Sequence, residues 1–329
     1  MTEPREDPAS GARWLRRRKS KRAEFEEFAH ATAGEIKAQF EATKAQIDAT
    51  NVKIEARTGR NLIAAIAIGL AMGLAMLFSL IVIKELFMLF AGAIIAFTAF
   101  ELASALRFAG HNVPRIPTVI AALATVPAAF YLGADGKWLT TLAGVALVAL
   151  WRVAELALPS RRVPGRTLLT DVAAGTFVHV YVPFLASFAV LLTAQDGGQW
   201  WALAFLVTII AIDTGVYASG LLLGKHKMAP RISPKKTWEG FAGSVVVAII
   251  AGVLLALFMI DQPWWVGVIF GLTMVFTGTL GDLTESLIKR DLGIKDISTW
   301  LPGHGGFLDR LDSILPSAAG AYILFILFA

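Results

Sequence analysis

The first 60 positions of the chain are rich in charge, and from Leu62 onward the pattern inverts into recurring runs of about 17 to 25 mostly apolar residues. Each run is long enough to cross about 30 Å of hydrocarbon as a helix rising about 1.5 Å per residue. The pattern predicts spans at 62–83, 86–106, 118–134, 138–156, 168–192, 200–223, 240–260, 264–288 and 312–328, nine in all. Pro183 interrupts the fifth run, which reads either as one long tilted helix or as two short pieces.

A different periodicity precedes the spans. Ala33, Ile36, Phe40, Thr43, Ile47, Thr50 and Ile54 recur at alternating three- and four-residue steps, one stripe of an amphipathic helix weakened by its two Thr positions. It reads as a solvated or self-associating helix, or as a lipid-surface helix held by the basic block Arg16, Arg17, Arg18, Lys19, Lys21 and Arg22. The first apolar run begins too late for a cleavable signal peptide, so this segment is expected on the mature chain.

Composition agrees with the apolar pattern. The 329 residues are 56% hydrophobic and 17% charged, and the mean hydropathy is +0.63. That is too apolar for a water-soluble surface and too charged for a scaffold that meets only lipid. The expected fold class is all-α: a polytopic integral membrane protein of about nine transmembrane helices with a cytoplasmic N-terminal helix. The chain has no cysteine, which excludes a disulfide framework, a thiolate metal site and a thiol nucleophile. Any metal must bind oxygen or imidazole.

Lysine and arginine near span ends set orientation. Loops after the first, third, fifth and seventh spans hold only Lys84 and Lys137. The alternate loops hold Arg107 and Arg115; Arg161, Arg162 and Arg166; Lys225, Lys227, Arg231, Lys235 and Lys236; and Lys289, Arg290, Lys295 and Arg310. Residues 1–60 add 13 of the 30 Lys and Arg to the same side. The N-terminus and all four basic loops are therefore expected in the cytoplasm, with Ala329 outside.

Two of these loops are complementary in charge. Gly224–Gly240 is strongly basic, whereas the segment from Asp282 to Ser313 supplies Asp282, Glu285, Asp291, Asp296, Asp309 and Asp312. A site for a polyphosphate and its divalent metal needs both signs, cations against phosphate oxygens and carboxylates against the metal. Asp282, Glu285, Ser286 and Lys289 fall at i, i+3, i+4 and i+7, so they share one helix face where the eighth span leaves the bilayer. An acid inside a span is costly and usually faces a polar cavity; the alternative is a structural Asp282 paired with Lys289 across two turns. Asp309 and Asp312 repeat the three-residue step, and alone would suit an interfacial helix start. They follow Pro302-Gly-His-Gly-Gly, whose glycines let the backbone approach a ligand closely. His304 reads as a ligand, an acid–base group or a packed loop histidine. His226 reads as a phosphate contact or a solvated side chain, and His111 and His179 as structural. Lys235 and Lys236 are expected to reach a phosphate chain from an irregular loop, or to anchor anionic lipid. Asp213, within the sixth span and one turn before Tyr217, needs a partner or a cavity.

These residues resemble the CDP-diacylglycerol synthase, or phosphatidate cytidylyltransferase, family. Its signature is met by Ser286-Leu-Ile-Lys289-Arg290, Lys295-Asp296, Pro302-Gly-His304-Gly-Gly306, Asp309-Arg310 and Asp312. A second block matches as Asp213-Thr-Gly, Gly224-Lys225-His226-Lys227 and Ser233-Pro-Lys235-Lys236-Thr237-Trp238-Glu239-Gly240. The match is dense over about 200–329; one departure is Leu221–Leu223, where relatives often place a basic residue.

The resemblance implies a metal-dependent nucleotidyl transfer in phospholipid biosynthesis: CTP and phosphatidate give CDP-diacylglycerol and pyrophosphate at the cytoplasmic face. It implies Mg²⁺ and a second cation such as K⁺, with Asp282, Asp309 and Asp312 as metal ligands and Ser286 and Lys289 completing the catalytic set. Lys225, Arg231, Ser233, Lys235, Lys236 and Arg310 are the expected phosphate contacts, and His304 is grouped with them as substrate-binding. CTP, phosphatidate and membrane lipids are the expected partners, with a homodimer and no nucleic acid. The expected location is the inner (plasma) membrane, multi-pass. Three regions follow: a basic segment and amphipathic helix (1–60), an N-terminal transmembrane region (61–199) and a catalytic transmembrane region with two cytoplasmic active-site loops (200–329). Two rivals fit some of these features, a CTP- or ATP-dependent lipid-alcohol (polyprenol) kinase and an ion-coupled transporter using Asp213 and Asp282.

Overall fold

The computed structural model describes residues 62–298, 300 and 305–329, together with Glu41. The stripe from Ala33 to Ile54, the basic block before it, and His304 lie outside the described residues. Residues Ala65–Ala329 form one compact unit, separate from Met1–Ala64.

From Leu62 onward the described chain is helical almost throughout. It runs through α1 (Leu62–Val82), α2 (Lys84–Phe108), α3 (Arg115–Tyr131), α4 (Gly133–Ala154) and α5 (Gly165–His179). A wide turn over Val180–Phe184 leads into α6 (Leu185–Ala194), followed by α7 (Gly198–Leu223). A two-stranded ribbon, β1 (Lys227–Ala229) and β2 (Ser233–Thr237), precedes α8 (Trp238–Phe258) and α9 (Trp264–Asp291). The short α10 (Leu308–Leu311) and α11 (Ile314–Phe328) end the chain.

Among the described residues, seven helical segments are long and apolar enough to cross a membrane, and two more, Gly69–Val82 and Arg115–Tyr131, are apolar but shorter. The 17 residues of α3 reach only about 25 Å. The fold is an all-α polytopic membrane protein, and the ribbon is the one departure from helix among the described residues. Two details differ from expectation. The third helix ends at Tyr131 rather than at 134, because Gly133 at φ +66° takes a left-handed turn and starts α4. Lys137, expected in an outer loop, instead lies in the second turn of α4, buried with its ammonium 3.3 and 3.5 Å from the ring centres of Phe188 and Phe184.

The 168–192 run is one continuous span, Gly165–Ala194. Pro183 lacks an N–H and its ring clashes with the carbonyl one turn back, and the Val180–Phe184 wide turn accommodates both without breaking the rod. The wide turn also brings Tyr181 into the core, where its hydroxyl is buried with no hydrogen-bond partner among the described residues. His179 is fully buried and packs against Gly144, in keeping with a structural role.

The core joins helices from both sides of residue 200. Leu80, Leu102, Leu191, Phe205, Phe270, Met274, Leu308 and Leu315 are all fully buried within it. α8 and α9 approach until Gly252 meets the backbone of Gly267 and Gly271, the close packing that small residues permit between helices in lipid. At the end of the bundle where the basic loops gather, Arg152 on α4 bonds Asp171 on α5 through Nε at 2.9 Å. Asp171 also accepts the Asn112 N–H at 2.8 Å, so the α2–α3 turn is tied to the same node.

Candidate active site

α9 is apolar through its first half and turns polar over its last three turns, which places the four expected side chains at one end of the bundle. Ser286 Oγ donates to Asp282 Oδ1 at 3.5 Å. Lys289 does not reach Asp282; its ammonium lies 2.6 Å from Glu285 Oε1 and 3.2 Å from Asp309 Oδ1. The contact with Glu285 is an ion pair outside hydrogen-bond geometry, whereas that with Asp309 is a hydrogen bond. Glu285 is buried. Gly281 makes the arrangement possible: a Cβ there would collide with the Asp312 carbonyl, so the turn before α11 presses directly on α9.

The basic segment is not irregular. β1 and β2 pair antiparallel, with Lys227 opposite Thr237 and Ala229 opposite Ser233. Glu239, in the first turn of α8, accepts the backbone N–H of Lys225 at 3.0 Å and of His226 at 3.1 Å, and its other oxygen meets His226 Nδ1 at 2.6 Å. Thr237 caps α8 by accepting the Gly240 N–H at 3.1 Å. Arg290 Nε donates to the Ile232 carbonyl at 3.1 Å and fastens the ribbon's tip to the end of α9.

Pinned at both ends, the ribbon covers a cavity of about 450 Å³ between α7 and α9. Asp213 and Tyr217 line it from α7, Thr279 and Asp282 from α9, Lys235, Lys236 and Thr237 from β2, and Ser313 from the turn before α11. Lys236 Nζ sits 2.5 Å from Asp282 Oδ2. The remaining wall is apolar: Ile212, Val216, Leu221, Met228 and Phe241. Tyr217 and Leu221 are more than two-thirds exposed, so this side of the cavity is bordered by exposed, largely apolar side chains.

On its other side the site continues into a ladder of charge. Gly306 N–H donates to Asp309 Oδ2 at 2.8 Å, and Asp309 leads through Lys289 to Glu285. Gly305, at φ +84°, turns the chain so that this bond can form. Asp312 accepts the Ser313 N–H at 2.7 Å. Asp213, Asp282 and Asp312 lie close enough for their charges to act on one another, and Arg310 acts on Asp213.

Residues 63–328 match the Cytidylyltransferase family. The chain belongs to the cytidylyltransferase family. Among its relatives, the phosphatidate cytidylyltransferase of Mycobacterium bovis is 41% identical over 274 residues, covering 82% of this chain and 89% of the relative. That of Mycobacterium leprae is 39% identical over 280 residues, covering 82% and 88%. That of Brucella suis is 37% identical over 158 residues, covering 48% and 57%.

In this cytidylyltransferase the expected residues fall into three groups. Lys235, Lys236 and Asp282 meet at the cavity, with Ser286 beside Asp282. Lys289 and Asp309 form the ladder, and Asp312 and Arg310 lie between ladder and cavity. Lys225, Arg231 and Ser233 are on or beside the ribbon but outside the cavity wall. Among the described residues, no three acidic or histidine side chains converge as a metal centre: Asp282 is held by Lys236 and Asp309 by Lys289. The donor chemistry still fits a hard divalent cation, since Asp213, Asp282 and Asp312 are carboxylates grouped closely enough to act on one another.

Glu285 was expected on this helix face but without a role, and its four-residue spacing from Lys289 was a sufficient signal for the pair. One further acid was not expected at all. Glu101, on α2, is 2% exposed and accepts the N–H groups of Phe307 and Leu308. Its one signal in the sequence is an acid set within an apolar run.

Proposed function

We propose that the chain transfers the cytidylyl group of CTP to phosphatidate, giving CDP-diacylglycerol and pyrophosphate. A phosphate oxygen of the lipid attacks the α-phosphorus of CTP in line, and the bond from that phosphorus to the bridging oxygen of the β-phosphate breaks. No protein nucleophile is needed, and the cysteine-free chain offers no thiol. The observation that carries this reading is the meeting of Lys235, Lys236 and Asp282 at one cavity that is also bordered by the exposed side chains Tyr217 and Leu221. A water-soluble nucleotide and a membrane-held phosphate monoester need that combination.

Lys235 and Lys236 bind the triphosphate, and Arg310 adds charge from the α10 side. Lys236, which holds Asp282 in the structure, exchanges it for phosphate oxygens. Asp282, Asp309 and Asp312 would hold Mg²⁺, with a second cation such as K⁺ close by. Mg²⁺ bound there would offset charge on the triphosphate and on departing pyrophosphate. The ribbon and the Asp309–Lys289–Glu285 ladder fix these groups before substrate arrives, which lowers the reorganisation required in the transition state. Basic-loop asymmetry supports a cytoplasmic N-terminus and an inner-membrane location, where CTP is available. A homodimer is the assembly the family resemblance implies.

The test is product identity. Purified protein given labelled CTP and phosphatidate should yield CDP-diacylglycerol and pyrophosphate, and only when Mg²⁺ is supplied. CDP with a phosphorylated lipid alcohol would instead mark a kinase, and lipid-coupled ion flux without CTP would mark a transporter.

A further inference from the structure

Glu101 is the eighteenth residue of α2, far in sequence from either motif block, yet among the described residues its carboxylate bonds only to the glycine-bearing segment of the site. Oε1 accepts the Phe307 N–H at 3.2 Å and Oε2 the Leu308 N–H at 2.8 Å. The Ser298 hydroxyl donates to Oε1, and Ser298 Oγ in turn accepts the Trp300 N–H at 3.3 Å. One buried acid thus bonds Ser298 before the Gly305-Gly306 pair and Phe307 and Leu308 after it. Gly306 has no room for a side chain, because a Cβ there would strike the Glu101 carboxylate itself.

The same face of α2 makes a second clasp. Phe97, one turn earlier, stacks on Phe307 at 5.3 Å, and Phe100 stacks on Trp300 at 5.6 Å. The next link leads to the reacting groups: the Gly306 N–H, adjacent to the clamped Phe307, donates to Asp309. Nothing in this geometry brings Glu101 to a substrate. Its donors lie about 200 residues away in sequence, on the segment that carries Asp309.

We propose that Glu101 is a positioning residue for cytidylyl transfer: it holds Ser298 and the Phe307–Leu308 turn, and through Gly306 it fixes Asp309. The inference rests on the proposed function for its kinetic consequence but not for the clamp itself, so two readouts are used on the full-length protein. The first needs no substrate. Hydrogen exchange in the peptide containing Phe307 and Leu308 should accelerate in Glu101→Gln while peptides from α8 and α11 exchange as in the wild type. Unchanged exchange at Phe307–Leu308 would overturn the clamp.

The second is kinetic. Glu101→Gln should lower kcat about tenfold to a hundredfold per folded molecule, with KM for CTP nearly unchanged, since a displaced group costs rate more than binding. Ser298→Ala should lower kcat less, and should have little further effect in the Glu101→Gln background, as expected of residues acting as a unit. Wild-type kcat in Glu101→Gln, or additive losses in the double variant, would overturn the inference. Should Glu101→Gln fail to fold, Ser298→Ala decides alone: a lowered kcat at unchanged KM supports the role, and wild-type kcat removes it. A wild-type protein that makes no CDP-diacylglycerol would defeat the functional reading while leaving the exchange experiment to judge the clamp.

Discussion

Lys236 Nζ lies 2.5 Å from Asp282 Oδ2, so the basic ribbon and the acidic end of α9 meet at a single ion pair. The pair draws together residues 46 positions apart in two separate motif blocks, and it stands at the wall of the cavity rather than in the core. With Asp282 partly exposed, the pair adds little to stability. Its value lies in holding both charges where a triphosphate can claim the lysine and free the carboxylate.

Asp282→Asn should therefore abolish turnover while leaving the protein folded and membrane-inserted. Lys236→Met should lower kcat by about a hundredfold or more, the usual cost of deleting one preorganised charge partner of a reacting group. Labelled-CTP turnover together with a detergent melting curve checks both; wild-type-like activity in either variant would remove that side chain from the site.

Asp309→Asn separates geometry from charge. The amide oxygen can still accept the Gly306 N–H, so the loop should keep its course, but Lys289 is left with Glu285 alone. Turnover should fall to background with Tm near that of the wild type. Lys289→Met behaves differently, because it strands the buried Glu285: about 3–5 kcal/mol of stability should go with it. A Lys289→Met protein as stable as the wild type would show that the ladder is not held by its central cation.

The spans were legible because apolar length is a direct consequence of bilayer thickness, and the α9 face because helical spacing fixes which residues align. The end of α3 was misplaced because a left-handed Gly133 can break an apolar run without any polar residue to announce it. The ribbon escaped notice since its strands are three and five residues long and carry lysines instead of alternating apolar side chains. Glu101 could be noticed as an acid in a span but not assigned: its partners are fixed by tertiary packing, on which local periodicity is silent.

The Arg152–Asp171 pair, both residues nearly fully buried, is scaffold rather than site. Arg152→Met should cost about 3–5 kcal/mol by leaving Asp171 charged and unpaired, and adding Asp171→Leu should recover part of it. Activity per folded molecule should not change. Thermal unfolding in detergent reads the first effect, and a wild-type Tm in Arg152→Met would show that this pair does not hold α4 to α5.

Deleting residues 1–55 should leave catalysis largely intact, because the family match starts at residue 63 and Ala65–Ala329 is a compact unit by itself. Turnover of the truncated, correctly inserted protein is the measurement. Its loss would make the N-terminal segment part of the active unit.

Access to the cavity can be read with single cysteines, since none occurs naturally. Thr279 lines the cavity one turn before Asp282, whereas Ser233 starts β2 outside the wall. Both should react with a membrane-impermeant thiol reagent only from the cytoplasmic side, because the ribbon and the polar end of α9 lie at the same end of the bundle as the basic loops. CTP with Mg²⁺ should protect Thr279→Cys and leave Ser233→Cys reactive, for the nucleotide fills the space under the ribbon and not its outer edge. The exposed border at Tyr217 adds a second expectation. Phosphatidate in the surrounding bilayer should slow labelling at Tyr217→Cys, which borders the cavity, and a neutral diacylglycerol should not, because only the phosphate monoester is drawn to Lys235 and Lys236. Labelling from the outer face alone would overturn the topology. Thr279→Cys labelling that ignores nucleotide would detach the cavity from CTP, and equal effects of the two lipids at Tyr217→Cys would show that this side of the cavity does not select the phosphate.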